Sequence, residues 1–508
     1  MSIPSHVRTF FDNRLGFQRR FQTELQSIGR LPNELLSYIF LLVVNDPAET
    51  HLRTLTISHV CFQWRQVALS NGALWARIVL TFPISEHKLS CAKTWLSRSS
   101  TSPLDILLDV RDPEWGWKED DHRFRLEHMQ SIMQLLITHV ERWQMVEMRA
   151  DTWAPICTFL WHSRGVKAAP VLEKLSLSRC NAYFTSRDQT FQPTSLRRPI
   201  KLFGDIAALG KLREVSLVGV HIDWSEPPLK NLTHLVFQYH AHDVMPTLEQ
   251  FQRILIACPT LRHLSIIGWG PILNGSESSQ AEEPEEKQVP IILGLPVLTR
   301  FSFGFMDTEY ATRLLSLLDF PCLTQFKLED VSKLVDPLDP LDISPLLEWF
   351  TTTYHISGTR LLLPLNRIRI MEFHGVDTNR KTFSNFLQQL TSLHHLVCYN
   401  IDDDILRALI SPDSNSKSPS NFPPTRQHLE KNWICPLLAE LHCQDVDPET
   451  ILDIISSRAL TNFVFDLRKV VVEFRRNSAP SPGSAIHTRL VDAGVIIAST
   501  STSSPQND

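Results

Sequence analysis

The chain has 508 residues, of which 43% are hydrophobic and 21% are charged, and its formal net charge is −5. This length exceeds what one hydrophobic core normally serves, so we expect two or more structural units. The acidic balance argues against nucleic acid as the main partner, because nucleic-acid-binding proteins present a basic surface.

Three further features predict a protein of the cytoplasm and/or the nucleus with no membrane partner. No apolar run approaches the length of a membrane span. The first residues lack the apolar segment of a secretory signal. The nine cysteines are scattered and form no C-x-x-C pair, which indicates free, mostly buried thiols in a reducing compartment.

Residues 1–27 predict a lead-in helix whose apolar side packs near the segment that follows. Phenylalanines and leucines are interspersed there with arginines, so a mitochondrial targeting helix is the alternative. Asp12 and Glu24 argue against it, because targeting helices are poor in acidic residues.

Residues 28–75 predict a group of helices that is apolar on two sides. Two stripes run along the first predicted helix, one formed by Leu31, Leu35 and Ile39 and the other by Leu36, Phe40 and Val43. A second amphipathic helix begins near Val60. A group this small cannot bury both stripes, so we expect one stripe to face a partner protein. The alternative is a plain helical hairpin packed on the rest of the chain.

A series of short matches within these helices has the order and spacing of a known motif: Leu31-Pro32, Glu34-Leu35-Leu36, Ile39-Phe40, Val60-Cys61, Trp64-Arg65 and Leu74-Trp75. The series resembles the F-box motif, and the whole chain is similar to fungal F-box proteins with a degenerate leucine-rich-repeat domain. The resemblance implies docking on a Skp-type adaptor and, through it, on a cullin. The adaptor-facing or interface-supporting positions that it implies are Leu31, Pro32, Leu35, Ile39, Val60 and Trp64.

Residues 76–150 predict a strand–helix transition that contains the first repeats. Strands are expected near 76–82, 104–110 and 143–148, and helices near 89–99 and 129–140. This alternation is typical of a parallel sheet. Trp115 and Trp117 fall in a polar loop, where they either bind a partner or, as we favour, belong to a loop folded on the core.

From residue 151 to 477 the phrase L-x-x-L-x-L, or a close variant, recurs at irregular intervals. Its copies begin at Leu172, Leu212, Leu232, Leu261, Leu298, Leu323, Ile368, Leu393, Leu438 and Leu460. Each copy predicts one strand of a shared sheet. A regular leucine-rich repeat has Asn or Cys at the ninth position, and only Cys180 complies.

The predicted fold is therefore α/β, with an N-terminal three-helix F-box followed by an irregular leucine-rich-repeat-like solenoid. A generic α/β domain with leucine-rich strands is the alternative. Polar inserts at 274–288 and 411–424 are predicted to be disordered. Residues 478–508 are predicted to form a mostly disordered tail with one ordered piece at 488–498.

No catalytic motif stands out. The sequence contains neither a P-loop nor a G-x-S-x-G elbow. We therefore predict that the protein is not an enzyme and uses no catalytic residue, cofactor or metal. A metal site at His234, His240 and His242 is the alternative, but no cysteine or carboxylate follows at a convincing spacing.

Two functional hypotheses follow. In the first, the protein is the substrate-recognition subunit of a Skp–cullin–F-box-type ubiquitin ligase, whose repeats hold an unknown target for proteasomal degradation. Target contacts would then use outward strand residues such as Lys174, Ser176, Glu214, Ser216, His263 and Ser265. In the second, the chain is a ubiquitin-independent interaction scaffold whose F-box-like helices cap the solenoid. Exposure of Leu31, Leu35 and Ile39 would favour the first.

Overall fold

A computed structural model describes residues 31–44, 53–118, 121–180, 190–204, 209–225, 229–273, 292–335, 341–356, 363–410, 433–459, 467–474 and 479–499. Packing divides the chain into two compact units. The first unit is Met1–Arg149 with Val166–Lys174 and Ala207–Lys211. The second unit is Ala150–Gly165 with Leu175–Ile206 and Leu212–Asp508.

The first unit begins with helices and continues as alternating strands and helices. Its helices are α1 (Asn33–Val44), α2 (Arg53–Ser58), α3 (Phe62–Ser70), α4 (Glu86–Arg98) and α5 (Leu126–Leu136). Its strands are β1 (Arg77–Thr81), β2 (Leu104–Asp109) and β3 (Trp143–Ala150). Short 3-10 turns occupy Gly72–Trp75 and Ile137–Arg142.

The strands of the first unit are parallel, and the buried residues of neighbouring strands pair with one another. Ile78 of β1 pairs with Ile106 of β2, which pairs with Val146 of β3. All three side chains are buried, as the alternation of a strand with one face on a core requires. The parallel pairing predicted from the strand–helix alternation is confirmed.

The second unit repeats the strand–helix pattern over a much longer stretch. Its strands are β4 (Lys174–Arg179), β5 (Glu214–Val218), β6 (His234–Gln238), β7 (His263–Ile267), β8 (Leu293–Gly294), β9 (Arg300–Phe305), β10 (Leu318–Asp319), β11 (Gln325–Asp330), β12 (Ile370–His374), β13 (His395–Tyr399), β14 (Glu440–Gln444), β15 (Lys469–Phe474) and β16 (Val495–Ser499). Its helices are α6 (Trp153–Ser163), α7 (Leu248–Ile256), α8 (Thr308–Leu315), α9 (Ser332–Val335), α10 (Ser344–Ile356), α11 (Arg380–Gln389), α12 (Asp403–Leu406), α13 (Pro448–Ala459) and α14 (Ala485–Asp492).

The large sheet of the second unit follows chain order. Strands β4 to β7, β9, β11 and β12 to β16 lie side by side, while β8 and β10 form a separate parallel pair. The register brings equivalent positions of the phrase together, so that Phe301 pairs with Phe326 and Phe326 with Met371. The rings of Phe301 and Phe326 stack with centroids 5.8 Å apart and planes 3° apart. These ladders form the core of the sheet.

A left-handed residue recurs directly after the strands of this sheet. Positive φ angles occur at Gly219, Tyr239, Gly268, Gly375, Asn400 and Asp445, which follow β5, β6, β7, β12, β13 and β14. Five of these amides donate to a carbonyl at the end of the next strand, as when Gly219 N donates to Gln238 O at 2.7 Å. The same hydrogen-bonded turn therefore closes five of the strands, whether or not glycine is present.

The structure places a strand at nine of the ten phrase copies, and the tenth, beginning at Leu460, lies outside the described residues. Strand β15 carries no such phrase and was not predicted. The inserts at 274–288 and 411–424 also lie outside the described residues. In the predicted tail, α14 and β16 occupy Ala485–Asp492 and Val495–Ser499.

The cysteines differ in part from prediction. All nine are free thiols. Cys258, Cys398, Cys435 and Cys443 are buried, but four others are exposed and one is intermediate. The expectation of mostly buried thiols is therefore wrong.

Candidate docking surface

The helical group at the start of the first unit has a small core of its own. Its buried side chains are Leu36, Phe40, Ile57, Val67, Ala68, Leu74 and Trp75. The indole of Trp75 donates to the Ala68 carbonyl at 2.7 Å and meets the Trp95 ring edge-on at 5.3 Å between centroids. Burial of this aromatic and aliphatic surface holds helices together that are individually too short to be stable in water.

Polar contacts reinforce this core. The Thr54 hydroxyl donates to the Leu74 carbonyl at 2.9 Å, which ties α2 to the 3-10 turn. The Arg53 guanidinium donates to the Val43 carbonyl, one of the carbonyls that a helix leaves without an intrahelical donor. The Leu36 amide donates to the Pro32 carbonyl at 3.1 Å. Pro32 therefore lies just before α1, which begins at Asn33, rather than inside its first turn.

The opposite side of α1 is exposed and apolar. Its side chains are Leu35, Tyr38, Ile39 and Leu42, which are 51%, 61%, 41% and 58% exposed. They are spaced i, i+3, i+4 and i+7, so they lie on one side of the helix. We call these four residues the docking face. Leu36 and Phe40, on the other side of α1, are each 1% exposed, whereas Val43 of the same predicted stripe is exposed.

The structure distributes the predicted adaptor residues over different environments. Leu35 and Ile39 belong to the docking face, and Pro32 and Val60 are also exposed. Leu31 is half-buried against the helical core. Trp64 is likewise half-buried, and its ring lies 4.8 Å from that of Phe40. Leu31 and Trp64 thus support the helices, while the other four present side chains to solvent.

Four exposed apolar residues of this helical group were not singled out from the sequence, and one of them is Leu69 of α3. Tyr38 and Leu42 complete the docking face, and Phe62 is exposed at the start of α3. The signal for the first two was available, because they repeat the i+3 and i+7 spacing from Leu35. Phe62 follows a break in the helices, so periodicity does not point to it.

A second candidate surface is the outer face of the large sheet, formed by the strand residues that alternate with the buried ones. Lys174 is exposed and Glu214 half-buried there, as expected for contact residues. Ser265 is buried and accepts a hydrogen bond from Gln238 Nε2 at 3.2 Å. Its assignment as an outward contact is therefore wrong.

Towards β15 this outer face becomes rich in titratable groups. Lys327 Nζ lies 2.9 Å from Glu329, and His442 Nε2 lies 3.0 Å from Glu473 Oε1. The pKa of the Glu372 carboxyl is lowered, chiefly by hydrogen bonding from the neighbouring His374. The surface is thus a mixed polar one.

The tryptophan loop of the first unit is partly built into its surroundings. The Trp115 ring contacts those of Trp117 and His122 with centroids 5.3 and 5.4 Å away, and its Nε1 donates to the Lys118 carbonyl at 2.7 Å. Trp117 itself is exposed. Hydrogen bonds from Arg123 hold Asp112 in the loop and lower the pKa of its carboxyl to about 2. The two tryptophans therefore pack within the loop, and one ring is left in solvent.

The three histidines considered for a metal are in unrelated environments. His240 is buried and its Nε2 lies 2.8 Å from the Val220 carbonyl. His242 lies in a 3-10 turn with its ring 4.9 Å from that of Trp269. His234 pairs with the ring of His263 at 5.6 Å. Within the described segments, no three His, Cys, Asp or Glu side chains are placed to hold an ion.

Membrane insertion has no support in the described helices. None of those helices is both long and apolar enough to cross a bilayer.

An exposed apolar helix face on a small helical core is the arrangement expected of a protein–protein docking module. Residues 28–81 match the family described as F-box-like. The match covers the helical group and β1, which amounts to about a tenth of the chain. No curated protein matches the sequence. The chain therefore carries an F-box-like domain followed by a large parallel α/β sheet.

Proposed function

We propose that this protein is the substrate-recognition subunit of a Skp–cullin–F-box-type ubiquitin ligase. The F-box-like domain would bind a Skp-type adaptor, and through it a cullin, while the second unit holds a target protein. The observation that carries the proposal is the docking face, four apolar side chains left in solvent on a domain of the F-box-like family.

The docking face supports adaptor binding because its exposure is costly in an isolated protein. Clustered apolar side chains at protein surfaces commonly mark interaction sites. The residues behind the face, such as Leu36 and Phe40, already satisfy the helical core. Leu35 and Ile39 therefore remain available for a partner, together with Tyr38 and Leu42.

For the second unit we propose an irregular leucine-rich-repeat-like solenoid. Strands that follow one another in chain order, six of them followed by a left-handed residue, support a repeating unit. The ninth position of most copies holds a buried apolar side chain, such as Val220, Val331 or Val376. Packing at that position would replace the hydrogen-bonded asparagine ladder of regular repeats.

The proposed mechanism is proximity rather than covalent chemistry. A receptor that binds both adaptor and target raises the local concentration of target lysines near the ubiquitin-conjugating enzyme. No residue of this chain would act as a catalyst, and no cofactor or metal is required. Target degradation by the proteasome in the cytoplasm and/or nucleus would follow.

A ubiquitin-independent scaffold remains the second candidate. It is favoured by the size of the sheet, whose polar outer face could hold a partner without any ligase. In that case the F-box-like helices would serve only to cap the strands. Exposure of Leu35 and Ile39 weighs against such a cap, which would cover them.

Co-purification of the full chain with a Skp-type adaptor tests the proposal. Leu35→Ala with Ile39→Ala should strongly reduce adaptor capture, because both side chains belong to the exposed docking face. Ile256→Ala is the matched control, since Ile256 is an equally apolar, exposed helical residue of the second unit. Adaptor capture unchanged by the double substitution, or never seen with the wild-type chain, would favour the scaffold.

A further inference from the structure

Strand β16 has one unpaired edge in the described structure. It pairs with β15 through Val495 to Ser499 and is the last strand in the order of the large sheet. No other described strand pairs with its outer edge. An edge strand presents main-chain N–H and C=O groups that can pair with another chain.

The sequence of β16 lacks the usual protection against such pairing. Natural edge strands carry lysine, proline, inward charges or bulges. β16 reads Val-Ile-Ile-Ala-Ser, and its register with β15 is continuous over all five residues. The strand is therefore uncharged and regular along its whole length and apolar from Val495 to Ala498, which favours pairing with a further strand.

Apolar side chains surround this edge. Ile496 is exposed on the outer face of the sheet, and Ile486 and Val491 are exposed on the adjoining α14. Terminal units of repeat arrays normally turn a polar face to water. The last strand–helix unit of this sheet instead exposes three large apolar residues within eleven positions.

We propose that β16 pairs in antiparallel fashion with β16 of a second copy of this chain, forming a symmetric dimer. A two-fold axis at Ile497 sets Ile496 of each copy opposite Ala498 of the other, a large side chain against a small one. The absence of charge in β16 removes the repulsion that would oppose self-pairing.

The same axis accounts for the exposed helix residues. Two-fold axes of antiparallel pairing are perpendicular to the sheet, so the helix layers of the two copies stay on one side. The two α14 helices then become neighbours, and Val491 gains an apolar partner. The dimer carries two docking faces, but its formation does not depend on what those faces bind.

The dimer is expected to be weak, because one short strand and one helix form a small interface. Sedimentation of the full-length chain between about 1 and about 100 μM covers the affinities expected of such an interface. We expect a concentration-dependent monomer–dimer equilibrium for the wild-type chain. A chain that stays monomeric over this range would overturn the proposal.

Two substitutions and one control locate the interface. Ile496→Lys and Val491→Lys should each weaken dimerisation at least about tenfold. The lysines of the two copies would repel each other, and pairing would remove water from their charges. Ile256→Lys places the same change at an exposed position of α7 and should leave dimerisation unchanged. Equal effects of all three substitutions, or none from the first two, would contradict β16 pairing.

Hydrogen exchange provides a check that does not depend on the variants. Amides of β16 should become more protected as the concentration of the wild-type chain rises, while those of β6 should not change. Protection of β16 that is already complete at a concentration where the chain sediments as a monomer would show that its edge is covered within one chain. That result would overturn the proposal.

Discussion

Replacing Leu35 and Leu42 of the docking face by alanine should weaken adaptor binding with a modest effect on the stability of the fold. Leu35 and Leu42 are each about half exposed in the protein, so roughly half of each side chain remains to be buried by a partner. Leu→Ala removes three carbon groups, worth about 0.8 kcal/mol each when fully buried. The part lost from binding is therefore about 1.2 kcal/mol per residue and about 2.4 kcal/mol for the pair.

A loss of this size corresponds to a roughly fiftyfold increase in Kd for the adaptor. Isothermal titration of the full-length double variant with a Skp-type adaptor measures it directly. Thermal unfolding of the same sample should show that the helices remain folded. A Kd within about twofold of the wild-type value, in a folded sample, would refute the assignment of the docking face.

Leu36→Ala is the complementary control, because this side chain is buried beside Phe40. Its truncation should lower the free energy of unfolding of the helical group by about 2–5 kcal/mol. The surviving folded molecules should bind the adaptor as the wild type does. Strong loss of affinity without loss of stability would mean that the two sides of α1 have been assigned the wrong way round.

Further predictions concern the second unit. Burial lowers the pKa of His221 and of His240 to about 4. Stability that is present at pH 7 should therefore be lost as the pH falls from about 6.5 towards 4, by about 2 kcal/mol for each histidine at pH 5. In urea unfolding, His221→Gln should make the free energy of unfolding less dependent on pH over that window. Arg458→Met should cost about 3 kcal/mol in the same assay, because the buried guanidinium donates to two main-chain carbonyls. Gly304→Ala should lower Tm, since a Cβ there would lie 2.8 Å from the Ile267 side chain, whereas Gly294→Ala, with open space around it, should not.

The local pattern of the chain was sufficient for much of the architecture. The repeated apolar phrase predicted strands such as β6, β9 and β12. Apolar residues at every second position must all face the core, which leaves little choice of register. Strand β15 escaped prediction because Val470 and Val472 supply the same buried face without the leucines of the phrase. The left-handed turn at Tyr239 also escaped, because nothing in a tyrosine signals positive φ.

The sequence by itself determined that α1 is apolar on two sides, since helical periodicity is a property of the chain alone. Only tertiary packing decided which side is left in solvent. The indole of Trp75 and the side chains of Ile57 and Val67 enclose Leu36 and Phe40, and this choice leaves Leu35 exposed. The physical reason is that burial depends on contacts between residues distant in sequence, which no local pattern contains.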